Sequence, residues 1–205
     1  DLDAALKDLK QAIDLLLPSY QIAKDPDYQL TLSQQIADCY GMMGGIYRRL
    51  AVTHLTNDKI SDKYLGDAAK MYQLGVKYED RSNASYNLSN SIVISILIDS
   101  GNLDQKKDVI LEGTANVRVQ VAGERKDQWW AWADLGLFRL LSGDKEEALH
   151  AYEQFKRVGA REEDYESTIN VLSALWDKLR KAASPASRAI AQSVGDVIQI
   201  LRQEI

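Results

Sequence analysis

Between Trp132 and Tyr152 the chain carries a run of spacings that few folds can use. A large aromatic, Trp132, is followed by Leu135 and Gly136, then by Gly143, then by Ala148 and Tyr152. The apolar residues on either side of Gly143 recur at helical spacing. Gly143 stands where the chain must reverse, and glycine tolerates the backbone conformations such reversals need. Gly136 and Ala148 carry almost no side chain to hold two helices apart. The segment therefore reads as two short antiparallel helices in close contact.

Similar spacing appears elsewhere. Residues 2–16 place Leu2, Ala5, Leu9, Ala12, Ile13 and Leu16 on one helical stripe, and Pro18 is expected to end that helix, since it lacks a backbone donor. Residues 24–28 read as a turn before a long helix over about 31–55, striped by Leu32, Ile36, Cys39, Tyr40, Met43, Ile46, Tyr47 and Leu50. After a polar loop at 56–59, Ser61 is the expected N-cap of a helix reaching about Tyr78. Residues 84–99 are expected to be helical, although 92–98 alone would suit a buried strand. A turn at 100–102 leads to a partner helix over 103–120 that three valines weaken. Further helices follow over 127–158, 163–182 and, from the start signal of Ser184 and Pro185, to the end. Tyr40, Tyr86 and Trp132 lie at equal separations of 46 residues, each opening the first helix of a pair. Such a period implies stacked helical hairpins.

The Gly136, Gly143, Ala148 and Tyr152 offsets resemble the tetratricopeptide repeat. Tyr40, Met43, Gly44 and Tyr47, then Ala68, Tyr72 and Gly75, repeat them with a gap about twelve residues longer than a standard unit. HEAT-type repeats share the period but not the glycine and alanine offsets. The resemblance implies an all-α chain, an α-solenoid of about eight helices forming a single repeat domain over 1–205. Its hairpins would lie near 31–78, 84–121 and 127–158, with bridging and capping helices over 163–205. Ala5, Leu9 and Ala12 match the second helix of a unit, so the chain is expected to begin partway through a repeat. The stretch from Trp129 to Gly136 is also similar to tetratricopeptide-type regulatory regions beside signalling or effector domains in bacterial defence proteins and stress kinases.

Composition narrows the function classes. A net charge of −5 opposes general nucleic-acid binding, which needs a basic footprint. No apolar run is long enough to span a bilayer. No secretory leader is expected, and the single cysteine, Cys39, excludes an internal disulfide; both lead to the expectation of a cytoplasmic protein. His54 and His150 lack metal-ligand spacing, so no metal or cofactor is expected. No nucleophile elbow or phosphate loop is present, and Met42–Gly45 lies mid-helix rather than after a strand. Gly41, Gly44 and Gly45 serve either close helix approach or a hinge. Acidic runs at 146–147 and 162–164 suit helix starts, where the macrodipole favours anions.

The candidate contact residues follow from the resemblance, which places the first helix of each pair along an inner groove. There Asn83, Asn87 and Asn90 would meet a peptide backbone, and Arg48 and Arg49 would hold a carboxylate or phosphate. Trp132 takes the core aromatic position, Trp129 shares its face, and Trp130 is either a partner contact or part of an inter-repeat seal. The expected function is a non-catalytic scaffold or regulatory module that binds a peptide or partner domain through its concave face. The alternative is a sensor of a small ligand or signalling peptide that changes superhelical pitch on binding.

Overall fold

The structure, a computed structural model, describes residues 2–53, 58–80 and 84–203. All secondary structure among the described residues is helical, in ten helices. They are α1 (Leu2–Ile22), α2 (Pro26–Thr53), α3 (Asp58–Tyr78), α4 (Tyr86–Ile98), α5 (Asn102–Gln105), α6 (Lys107–Ala122), α7 (Trp129–Leu141), α8 (Lys145–Arg157), α9 (Glu162–Leu179) and α10 (Pro185–Arg202). The chain forms two compact units, Asp1–Ile94 and Ser95–Ile205.

In the first unit α2 packs against both α1 and α3. Ile13 of α1 meets Cys39 and Met43 of α2 in a small core, which Leu6, Leu9, Leu16 and Met71 flank. Across the α2–α3 contact, Gly44 lies against the ring of Tyr72: a Cβ at Gly44 would stand 2.8 Å from it. Ala68, one turn before Tyr72, is fully buried. Gly44 is thus a close-approach residue, and α2 runs unbroken through Gly41, Gly44 and Gly45.

The second unit repeats this arrangement with shorter helices. A Cβ at Gly136 of α7 would stand 2.7 Å from the Tyr152 ring of α8, and Ala148 is fully buried one turn before Tyr152. Gly143, at φ +82°, makes the reversal, and Asp144 caps α8 by accepting from the Glu147 amide. Helix α6 packs on α7, α9 pairs with α10, and α10 reaches back to α7. Phe138, Leu140, Phe155, Leu172, Leu175 and Leu179 fill the core.

Several expected boundaries move. Pro18 does not end α1, which continues to Ile22. An interior proline costs a helix about 3 kcal/mol, but the turn beyond it is held by tertiary contacts. The Tyr20 ring meets Tyr78 edge-on at 5.5 Å, and its carbonyl accepts from Gln29 Nε2. Helix α2 starts at Pro26, not near 31, because Asp25 accepts from the Tyr28 amide at 2.9 Å and proline suits the first helical position. Ser61 is not an N-cap: α3 starts at Asp58, and the buried Ser61 hydroxyl donates to the Ala51 carbonyl. The segment expected as one helix over 103–120 is two, interrupted at Lys106, and the described residues hold ten helices where about eight were expected. Residues 92–98 are helical, and Ser184 caps α10 as expected. Trp132 is only half-buried; its indole donates to the Lys126 carbonyl at 2.7 Å. Trp129 instead meets the buried Phe155 ring at 5.8 Å.

Candidate functional site

The first unit holds an open groove of about 580 Å³ lined by Ala5, Asp8, Leu9 and Ala12 of α1, by Met42, Gly45, Ile46 and Arg49 of α2, and by Tyr86 at the start of α4. The lining residues of α1 and of α2 each follow the three- and four-residue steps of one helix face. Alanine and glycine keep the sides low, and Met42 and Tyr86 stand 51% and 44% exposed. The groove is mostly apolar, with one carboxylate and one guanidinium among its lining residues.

Tyr86 is set in place by a buried polar lock at the start of α4. The Glu79 carboxylate, itself buried, accepts from the amides of Asn87 at 2.7 Å and Leu88 at 3.1 Å. Those amides belong to the first turn, which has no intrahelical acceptors. The Asn87 side chain, 2% exposed, lies against both Gly41 and Gly75 where their Cβ atoms would be, and donates to the Ala37 carbonyl at 3.1 Å. Asn90, also buried, donates to the Tyr86 carbonyl and accepts from Arg48 Nη1 at 2.8 Å.

The expected contact residues are therefore distributed over different tasks. Arg49 lines the groove. Arg48 ties α2 to Asn90. Asn87 and Asn90 are buried, and their amides join α4 to α2. Asn83, like His54, lies outside the described residues. Trp130 belongs to the second unit, exposed at the start of α7 with its ring edge-on to Trp129 at 5.5 Å.

Sequence reading did not single out Asp8, Met42 or Tyr86, which line the groove. Tyr86 carried a signal as one of the three aromatics spaced by 46, and Ala5, Leu9 and Ala12 were recognisable as a close-packing stripe. Asp8 and Met42 have no local signature. They become neighbours only when α1 folds onto α2.

Beneath the groove two phenols converge on Gly45. A Cβ at that position would lie 3.6 Å from the Tyr86 hydroxyl and 3.7 Å from that of Tyr72. The Tyr72 hydroxyl is buried, with Tyr86 as its polar neighbour. Burial and the neighbouring Tyr86 push its pKa far up, against the opposing pull of Arg48 and Arg49, so it is a neutral donor. Burial first, and Asp38 second, also raise the Cys39 thiol, which disfavours the reactive thiolate.

Compared with protein-family models, curated proteins and solved structures, the chain matches none.

Proposed function

We propose that this chain is a non-catalytic binding module of tetratricopeptide-like, solenoid character, and that the groove between α1, α2 and Tyr86 holds a peptide segment of a protein partner. The observation that carries this reading is the lining itself: exposed Met42 and Tyr86 beside Gly45 in a groove of about 580 Å³. Methionine adapts its shape to varied apolar side chains, tyrosine is enriched among the residues that dominate binding energy, and the volume falls within the range of ligand clefts. The repeated glycine–alanine–tyrosine packing of α2–α3 and α7–α8 supports the repeat resemblance, whose members act chiefly as binding scaffolds. The burial of Asn87 and Asn90 removes both from the contacts expected of a peptide or of a small ligand, so the reading rests on the groove lining alone.

Panning a displayed random-peptide library against the chain tests the reading. Enriched peptides should bind Met42→Glu about tenfold or more weakly, a loss of roughly 1.4 kcal/mol, and bind Val119→Glu, exposed in the second unit, as well as the parent. Peptides indifferent to Met42→Glu would place binding elsewhere, and a library yielding no specific binder would count against the module.

A further inference from the structure

We propose that Met42 is an oxidation site: a peroxide converts it to its sulfoxide, and the sulfoxide shuts the groove to its peptide until a reductase restores the thioether. This rests on the binding reading above and names how that same groove is regulated.

The chain has three methionines, Met42, Met43 and Met71, and the fold gives them unequal access to solvent. Successive residues of a helix point about 100° apart, so the adjacent Met42 and Met43 of α2 meet different surroundings. Met43 is 8% exposed and belongs to the small core with Ile13 and Cys39, against which Met71 packs half-buried. Met42 is 51% exposed and lines the groove. The Cys39 thiol competes poorly for a peroxide: it is buried, and burial raises its pKa, which disfavours the reactive thiolate.

The step is a two-electron oxidation. A lone pair of Met42 Sδ attacks one oxygen of hydrogen peroxide. The S–O bond forms as the O–O bond breaks, and the departing oxygen takes up the proton of the transferred one and leaves as water. Sulfur is oxidised and the peroxide is reduced. Restoration uses two thiols: the sulfoxide oxygen leaves as water, sulfur returns to the thioether, and the thiols become a disulfide.

The product suits the groove badly. Oxidation turns a flexible apolar side chain into a polar one. Ala5, Leu9, Ala12 and Ile46 line the same groove, and none carries a side-chain donor. Arg49 stands seven residues further along α2, about 10 Å by helical rise. The Tyr86 hydroxyl lies at Gly45 with the Tyr72 hydroxyl as its neighbour. A peptide side chain seated on Met42 would therefore press the sulfoxide oxygen against an apolar lining, and an acceptor buried without a donor opposes binding.

The whole chain is treated with hydrogen peroxide, and the added oxygen is located by tandem mass spectrometry, which resolves Met42 from Met43. Met42 should oxidise about tenfold or more faster than Met43 or Met71, and a saturating peptide from the panning experiment should slow it. The oxidised chain should keep its thermal midpoint and bind those peptides about tenfold more weakly. Affinity should return after treatment with dithiothreitol and methionine sulfoxide reductases for both sulfoxide epimers. Met42→Leu, compared with itself before and after peroxide, should show no loss, whatever its starting affinity. Equal or earlier oxidation of Met43 or Met71, a fall in thermal midpoint, or a peroxide effect on Met42→Leu as large as the parent's overturns the proposal. Selective oxidation that leaves peptide affinity intact overturns the switch, and where those peptides still lose affinity to Met42→Glu the binding module stands. Peptides indifferent both to Met42→Glu and to oxidation overturn the module reading together with the switch.

Discussion

At the scale of single residues, glycine and tyrosine decide how closely the hairpins pack. Gly44 with Tyr72 and Gly136 with Tyr152 each let a ring lie flat on a helix backbone. Their loss should be felt as overpacking, not as a change in helix propensity. Gly136→Ala would force a methyl to 2.7 Å from the Tyr152 ring, and should destabilise the chain by about 1–2 kcal/mol, because the strain exceeds the helical gain of alanine. Gly66, also mid-helix, has open space where its Cβ would be. Gly66→Ala should stabilise by about 0.5–1 kcal/mol. Urea unfolding of the two variants separates the effects, and the same sign for both would contradict this account of the packing. Single residues were unequally legible. Gly136, Ala148 and Tyr152 announce themselves by spacing, whereas the burial of Asn87 does not, since an asparagine in a helix's first turn reads as a solvated polar face until Gly41 and Gly75 are seen to make room for it.

At the scale of elements, helix ends carry the polar investments. Glu79 satisfies two first-turn amides of α4 from a buried position, and removing it leaves donors that water reaches poorly. Glu79→Ala should cost about 1–3 kcal/mol and should speed hydrogen exchange at the Asn87 and Leu88 amides before it affects those of α9. Equal protection of those two amides in parent and variant would show that the carboxylate does not cap the helix. In the second unit Lys145 of α8 donates to Asp196 of α10 at 2.6 Å. That hydrogen bond, more than the one from Gln192, holds the Asp196 carboxyl below its ordinary value of 3.8. A carboxyl whose pKa is lower folded than unfolded adds stability above the unfolded value and loses it as pH falls through the folded one. The pair is partly exposed, so the effect is small. The stability gap between parent and Asp196→Asn should be present near neutrality and should close below pH 3.8; a gap that widens on acidification would reverse the sign. Boundaries were the least legible feature of the elements: Pro18 and Ser61 are ordinary stop and start signals, and both were overruled by contacts with residues distant in sequence.

At the scale of the whole molecule, charge and hydropathy set what the chain can approach. With a net charge of −5 the chain lacks the cationic excess that gives proteins their salt-sensitive affinity for phosphate backbones. Duplex DNA or RNA should show no mobility shift with this chain at physiological salt, and retardation that salt weakens would expose a basic surface the overall charge conceals. None of the described helices is long and apolar enough to cross a membrane. The two compact units carry one packing unit each, α2–α3 and α7–α8, built on the same glycine, alanine and tyrosine contacts but on helices of different length.

Periodicity alone determined that this chain is helical and that small residues at set offsets let its helices touch, because those properties depend on residues within one or two turns of each other. It also located the α7–α8 pair closely, since Gly143 and its flanking stripes act locally. The groove was decided by tertiary structure. Ala5, Met42 and Tyr86 are far apart along the chain and share no local pattern; they meet only when α1 and α4 close onto α2. The same closure buried Asn87 and Asn90, carried α1 past its proline, and buried the Tyr72 hydroxyl beneath Gly45. Burial and proximity of this kind are properties of the packed chain, and no window of sequence contains them.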